Sequence, residues 1–191
     1  MIILRKDKLT LVEPTHEIMN RAPALFDFNE NISSALGISN VLFERMKQLG
    51  GVGLSANQVG LDYRLFVMGL GELKIAVFNP EIIEWNTKQE HFNEGCLSYP
   101  GIMLSIKRPT TVKVKFQNSN GEFIEEEYTG MTARIFQHEY DHMCGIDYTS
   151  NVSKFKLNFA KKKFENKRKK IIKKYAVKTM IEALNDTKDS I

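Results

Sequence analysis

The chain has 191 residues, 42% apolar, 26% charged and 10% aromatic, with 12 glycines and 5 prolines, enough apolar side chain for one sizeable core. This excludes a chain disordered throughout, a collagen-like repeat and a low-complexity polymer. The formal net charge of +4 is unevenly spread, because Lys154 to Lys174 holds 11 of the 27 basic residues and one acid, Glu165, and leaves the rest mildly acidic. A split of this kind points to a basic appendage with its own partner. Two cysteines, Cys96 and Cys144, cannot make a disulfide framework for a chain this long, so free thiols and a reducing compartment are expected. Met1 to Thr10 is charged at Arg5, Lys6, Asp7 and Lys8 and lacks the apolar stretch of a signal peptide. No run approaches the roughly 20 apolar residues of a membrane span, so a cytoplasmic location without membrane association is expected.

In chain order, turn signals at Pro14 and Pro23 precede apolar residues at Ile32, Leu36, Leu42, Phe43, Met46 and Leu49. That spacing predicts a helix, stopped by Gly50-Gly51. A glycine-punctuated segment, Gly51 to Gly60, follows. Short β-like runs are predicted at Leu65 to Leu70 and Ile75 to Phe78, with Ile82 and Ile83 beyond Pro80; a loop from Glu94 to Pro100 then interrupts them. Val112, Val114 and Phe116 alternate with polar residues, Asn118-Ser119-Asn120-Gly121 reverses the chain, and Phe123 opens a return strand. A second helix is predicted from about Thr132 to Cys144. In the basic segment, Leu157, Ala160, Phe164, Ile171 and Tyr175 mark a narrow helical stripe broken by Arg168. Strands between helices without a βαβ rhythm predict an α+β fold with mainly antiparallel sheets.

The second helix carries the chemistry. His138 and His142 are four residues apart, so both imidazoles project from one face and can reach one metal ion, while Glu139 stands beside the first, placed to take a proton from water activated there. By chance the pattern H-E-x-x-H is expected on the order of once in a hundred chains of this composition. A catalytic site needs a third ligand. The extended metzincin pattern would put a histidine at position 148, where this chain has Tyr148, and Cys144 and Cys96 are the remaining candidates. Cys144 lies about 200° round the helix from His142 and is expected to pack as a small buried hydrophobe. Cys96 sits in a loop beside a glycine, where the backbone can bring a thiolate to a metal.

Gly51-Val52-Gly53-Leu54-Ser55-Ala56-Asn57-Gln58, Glu94-Gly95-Cys96-Leu97-Ser98 and Gln137-His138-Glu139-Tyr140-Asp141-His142 together resemble the three signature motifs of peptide deformylases, in order and at suitable spacing. Ser55 stands where that family usually has alanine, a small-for-small change expected to do little. The resemblance implies that Cys96, His138 and His142 hold one divalent ion, iron(II) physiologically, with zinc, nickel or cobalt also accepted. It makes Glu139 the general base and acid, and gives Gln58 and the backbone N–H of Leu97 the oxyanion. It implies substrate contacts at Gly51, Val52, Gly53, Phe92, Glu94, Arg108, Met131, Arg134 and Ile135, with Arg134 contributing its aliphatic stem. Gly51 and Gly53 would let the substrate backbone approach, although Gly51 can equally serve only to end the helix. Asp141 is read either as orienting a ligand or as an ordinary ion pair on the helix.

The activity implied is hydrolysis of the formyl group from N-terminal formylmethionine of new polypeptides, releasing formate. Residues 1–153 would form the catalytic domain around a central metal-binding H-E-x-x-H helix, and residues 154–191 a basic C-terminal helix and tail. In the family such a helix can dock on the ribosome, so ribosomal RNA is an expected partner of Lys154 to Lys174. Two other classes compete. Cys96 and Gln58 argue against a zinc endopeptidase, and the full set of catalytic residues argues against an inactive binding protein that relies on its basic tail.

Overall fold

In a computed structural model, which describes residues 9–188 except the side chains of 31–32, 174 and 176–188, the first helix, α1 (Phe28–Gln48), starts at Asp27. The Asp27 carboxylate accepts from the Asn29 N–H at 2.8 Å, satisfying one orphan donor of the first turn. It ends at Leu49 in a Schellman motif: Gly50, at φ 69°, donates to Lys47 O and Gly51 to Met46 O, both at 3.0 Å. Gly50 therefore makes the turn and Gly51 follows it. The buried stripe is Ala35, Ile38, Leu42 and Met46; Leu36, expected on that face, is exposed.

A five-stranded antiparallel sheet, ordered β1-β2-β3-β6-β7, is built from β1 (Gly53–Ser55), β2 (Leu65–Leu70), β3 (Leu73–Trp85), β6 (Thr111–Gln117) and β7 (Phe123–Thr129). A separate antiparallel pair joins β4 (Gln89–Glu94) to β5 (Leu104–Pro109). The β6–β7 hairpin matches the expectation: Gly121 takes φ 81°, and the Asn118 side chain accepts from the Asn120 and Glu122 N–H groups. Strand β3 is longer than expected because it runs through Pro80. The register shifts between Phe78 and Glu81, Asn79 adopts φ 49°, and its side chain bonds Phe26 and Gln117, so a bulge absorbs the proline's missing donor.

Helix α2 (Gly130–Met143) begins slightly before the expected helix and is buried on nearly every side. One core packs α1 on β1 and β2 through Leu42, Leu54, Leu65 and Phe78. A second packs α2 on the sheet through Phe136, Ala133, Phe66, Val77, Val112 and Val114. Phe136 is fully buried, with ring centroids of Phe66 at 5.2 Å and Tyr128 at 5.8 Å. Helix α3 (Lys154–Lys188) seats Leu157 and Ala160 on a third cluster with Cys96, Leu104, Ile106 and Tyr148. Phe164 lies against Gly101, but Ile171 and Tyr175, farther along the same stripe, are exposed. Among the described residues no helix is long and apolar enough to cross a membrane.

Because Phe136 ties α2 to the sheet, Phe136→Ala should cost about 3–5 kcal/mol of stability. Urea unfolding followed by circular dichroism measures this; a loss below about 1 kcal/mol would contradict the packing described.

Candidate active site

His138 and His142 occupy successive turns of α2, with ring centroids 5.4 Å apart. The loop after β4 closes on itself through the Tyr99 N–H to Cys96 O, at 2.9 Å, and turns the Cys96 thiol toward them. The three ligand atoms lie within 4.8 Å of one another, all buried, and Cys96 Sγ is 3.5 Å from His142 Nε2. One sulfur and two imidazoles fit a divalent ion and leave a fourth position for water or substrate. Burial pushes His142 down to about 3, so it is neutral, as a ligand must be. For His138 burial also opposes the cation, but its bonds to Cys96 and Glu94 outweigh that and raise it.

Glu139 lies against this cluster with Oε2 buried and unpartnered. Burial pushes its carboxyl up to about 7, against the pull of His138 and Arg108, a value suited to taking and returning a proton near neutrality. Gly53 makes the room: a β-carbon there would stand 2.2 Å from Glu139 Oε1. Its missing side chain therefore makes room for Glu139, and Gly53 also lines the adjoining cavity where the sequence suggested an approach for substrate. A β-carbon at Gly51 would meet Leu97 Cδ1 at 2.7 Å.

Gln58 sits in the 3-10 turn Asn57–Val59 after β1. Its Oε1 accepts from the Ser55 N–H at 3.0 Å and the Ser55 hydroxyl at 3.1 Å, and its Nε2 donates to Cys96 Sγ at 3.4 Å and Ser98 Oγ at 3.0 Å. Two donors on the carbonyl end fix which way the amide points. The buried Ser55 hydroxyl is thus a working contact, contrary to the small effect expected of it.

Arg108, expected to touch substrate, is buried away from the cavity, and Glu94, which borders the cavity, pairs with it in a buried scaffold. Arg108 grips Glu94 through Nε to Oε1 at 2.7 Å and Nη2 to Oε2 at 3.0 Å, and its Nη1 donates to Asp141 at 2.9 Å. Arg134 Nη1 donates to Glu94 Oε1 at 2.8 Å and Nη2 to Glu90 O at 2.7 Å, so its guanidinium is engaged as well as its stem. His138 Nδ1 meets Glu94 Oε2 at 3.0 Å, which leaves Nε2 as the nitrogen available to a metal. Burial opposes the Glu94 anion, but bonds from His138, Arg108 and Arg134 win and hold it down at about 2. Asp141 answers its open alternatives with a cross-element ion pair to Arg108. Strand parity could have signalled this: on β5, Leu104 and Ile106 face inward, and so must Arg108.

A cavity of about 700 Å³ opens beside the triad. Val52, Phe92, Met131 and Ile135 form apolar wall, and Gly51, Gly53, Glu94, Leu97 and Arg134 also line it; Arg108 does not. Val52 and Phe92 are about half exposed, as residues lining an open pocket rather than a core would be. The Arg134 guanidinium stacks over Phe92 at 5.7 Å. Two contributors escaped the sequence reading. Tyr148, considered only as a missing histidine, is buried, donates to Ile102 O at 3.0 Å and packs its ring 5.5 Å from that of His138; Ser98 anchors Gln58. Cys144, expected to be buried, is exposed at the end of α2.

This α+β fold, with a Cys-His-His cluster and a buried carboxyl at the mouth of an apolar pocket, defines a metal-binding hydrolase. The family model described as Polypeptide deformylase matches residues 8–158. A peptide deformylase of Thermotoga maritima is 42% identical over 146 residues, covering 76% of this chain and 87% of the relative. One from Wolbachia pipientis wMel is 36% identical over 172 residues, covering 83% and 94%. The crystal structure of a Synechococcus elongatus peptide deformylase in complex with actinonin superposes with a TM-score of 0.75 at 30% identity, covering 82% and 86%. The chain belongs to the peptide deformylase family.

Removing Glu94 takes the shared carboxylate from two buried guanidiniums, leaving Arg108 with Asp141 alone and Arg134 with backbone carbonyls. Glu94→Ala should therefore lose about 3–5 kcal/mol of stability in the metal-free protein. Denaturant unfolding without added metal checks this, and a change under about 1 kcal/mol would show that Glu94 is not the hub.

Proposed function

We propose that this enzyme removes formyl from N-terminal formylmethionine of nascent peptides using one divalent ion held by Cys96, His138 and His142. The observation that carries the reading is the convergence of those three ligand atoms within 4.8 Å of one another, beside a buried carboxyl and a pocket of a size to take an apolar side chain. The bound ion supplies Lewis acidity toward water and the formyl carbonyl. Glu139 takes the proton from the attacking water as the new C–O bond forms, then delivers it to the amine nitrogen as the C–N bond breaks, giving formate and a free amino terminus. The Gln58 amide and the Leu97 N–H donate to the oxygen on which negative charge develops, and Ser55 and Ser98 keep the Gln58 amide aimed. The methionine side chain enters between Val52, Phe92, Met131 and Ile135, against the Arg134 stem. Glu94 holds the His138 ring.

Within this reading, residues 1–153 carry the catalytic machinery and residues 154–191 are an added basic element. Iron(II) is the proposed physiological ion, giving an active but air-sensitive enzyme because a thiolate beside a redox-active metal is open to oxidation. The proposed location is the cytoplasm, where nascent chains emerge. Spacing on α3 puts Lys162, Lys169 and Lys173 on the side away from Leu157 and Ala160, and this side is proposed to meet ribosomal RNA phosphates.

The chemistry is tested by formate release from a short formyl-Met peptide. Glu139→Gln should retain metal and fold yet lose about 10²–10⁴-fold in kcat; near-normal turnover by a metal-loaded variant would refute the assigned role. Replacing Lys162, Lys169 and Lys173 with serine should weaken co-sedimentation with ribosomes and flatten its salt dependence while peptide turnover persists. Unchanged co-sedimentation would remove the ribosome from the account.

A further inference from the structure

A second cavity, of about 430 Å³, lies between α3 and the segment from Gly101 to Ser105. It shares Asn93, Gly101 and Met103 with the main pocket, so the two adjoin along that rim. Its floor is apolar: Phe155 is 80% exposed, Phe159 64% and Met103 55%, with Phe164 beside them. Large apolar side chains left in water at consecutive turns of an otherwise cationic helix are not explained by folding. The rim carries Lys156, Lys163 and Lys167, and among the described residues no carboxylate lines the groove.

We infer that this groove is an extended substrate site, which takes the nascent chain downstream of its methionine and favours apolar residues accompanied by acidic ones. The inference rests on the deformylase reading. Adjacency identifies the occupant, because whatever sits in the main pocket leaves it as a polypeptide backbone, and the shared rim also borders the groove against α3. Charge complementarity gives the chemistry: three lysines with no opposing acid favour Asp or Glu and disfavour Lys or Arg in the segment that lies there. The apolar floor adds non-directional contact with an aromatic or aliphatic side chain. Such contacts are made far from the formyl carbon, so they act on ground state and transition state alike and appear in KM rather than kcat.

The test uses the full-length, metal-loaded enzyme without ribosomes and three substrates: formyl-Met-Ala-Ser, an octapeptide with Phe and two Glu in its second half, and the same octapeptide with Lys for Glu. The parent enzyme should show a KM about three- to tenfold lower for the acidic octapeptide than for the basic one, with kcat unchanged. Lys163→Glu with Lys167→Glu should abolish or reverse that preference, and Phe159→Ser should raise KM for both octapeptides. All variants should turn over the tripeptide like the parent, which shows that their sites are intact. Equal KM values for the two octapeptides in the parent, or a preference that survives the double substitution, would overturn the groove. No hydrolysis of the tripeptide by the parent would overturn the deformylase reading, and this inference with it.

Discussion

A single buried carboxylate, Glu94, joins three elements that are remote in sequence. It ends β4, receives Arg108 from β5, and receives both Arg134 and His138 from α2. Each of those cations or donors would be costly to bury alone, and a lone carboxylate there would be too. Together they satisfy one another, and the small β4–β5 pair is clamped to the central helix by charge-assisted bonds rather than by apolar packing alone. Cys96 follows Glu94 by two residues, so the same clamp sets where the thiol can stand relative to the histidines.

The second constraint is space. Helix α2 is surrounded, and its Glu139 carboxyl occupies the volume that a side chain at position 53 would need. Burial raises Glu139 and at the same time denies it a partner for Oε2. A carboxyl that is neither ion-paired nor solvated remains available for proton transfer, whereas Glu94, in the same network of charges, is held by Arg108, Arg134 and His138. Two glutamates in one site are thus shifted in opposite directions because their neighbours differ.

Much of this was legible from residues alone, where local rules decide. The α1 stop at Gly50, the Asn118 to Gly121 turn and the helical placement of His138 and His142 all follow from short-range chemistry. The errors arose where distant partners decide. Strand β3 crosses Pro80 because a bulge at Asn79 is pinned by Phe26 and Gln117. The β4–β5 pair escaped notice because β4 is mostly polar and exposed, with only Glu94 buried. Arg108 was expected at the substrate because the family resemblance implied it, whereas its pairing with Glu94 across 14 residues has no single-sequence signature beyond strand parity. Cys144 was misplaced since the helix ends at it, leaving the thiol in solvent.

The proposed chemistry requires one metal bound by one sulfur and two imidazoles, with His138 turned by Glu94 to offer Nε2. X-ray absorption on the zinc-loaded protein measures this directly. The predicted result is one sulfur scatterer at about 2.3 Å and two imidazole nitrogens at about 2.0–2.1 Å, with the sulfur lost in Cys96→Ser. A coordination shell of nitrogen and oxygen alone, or a sulfur shell that persists without Cys96, would contradict it.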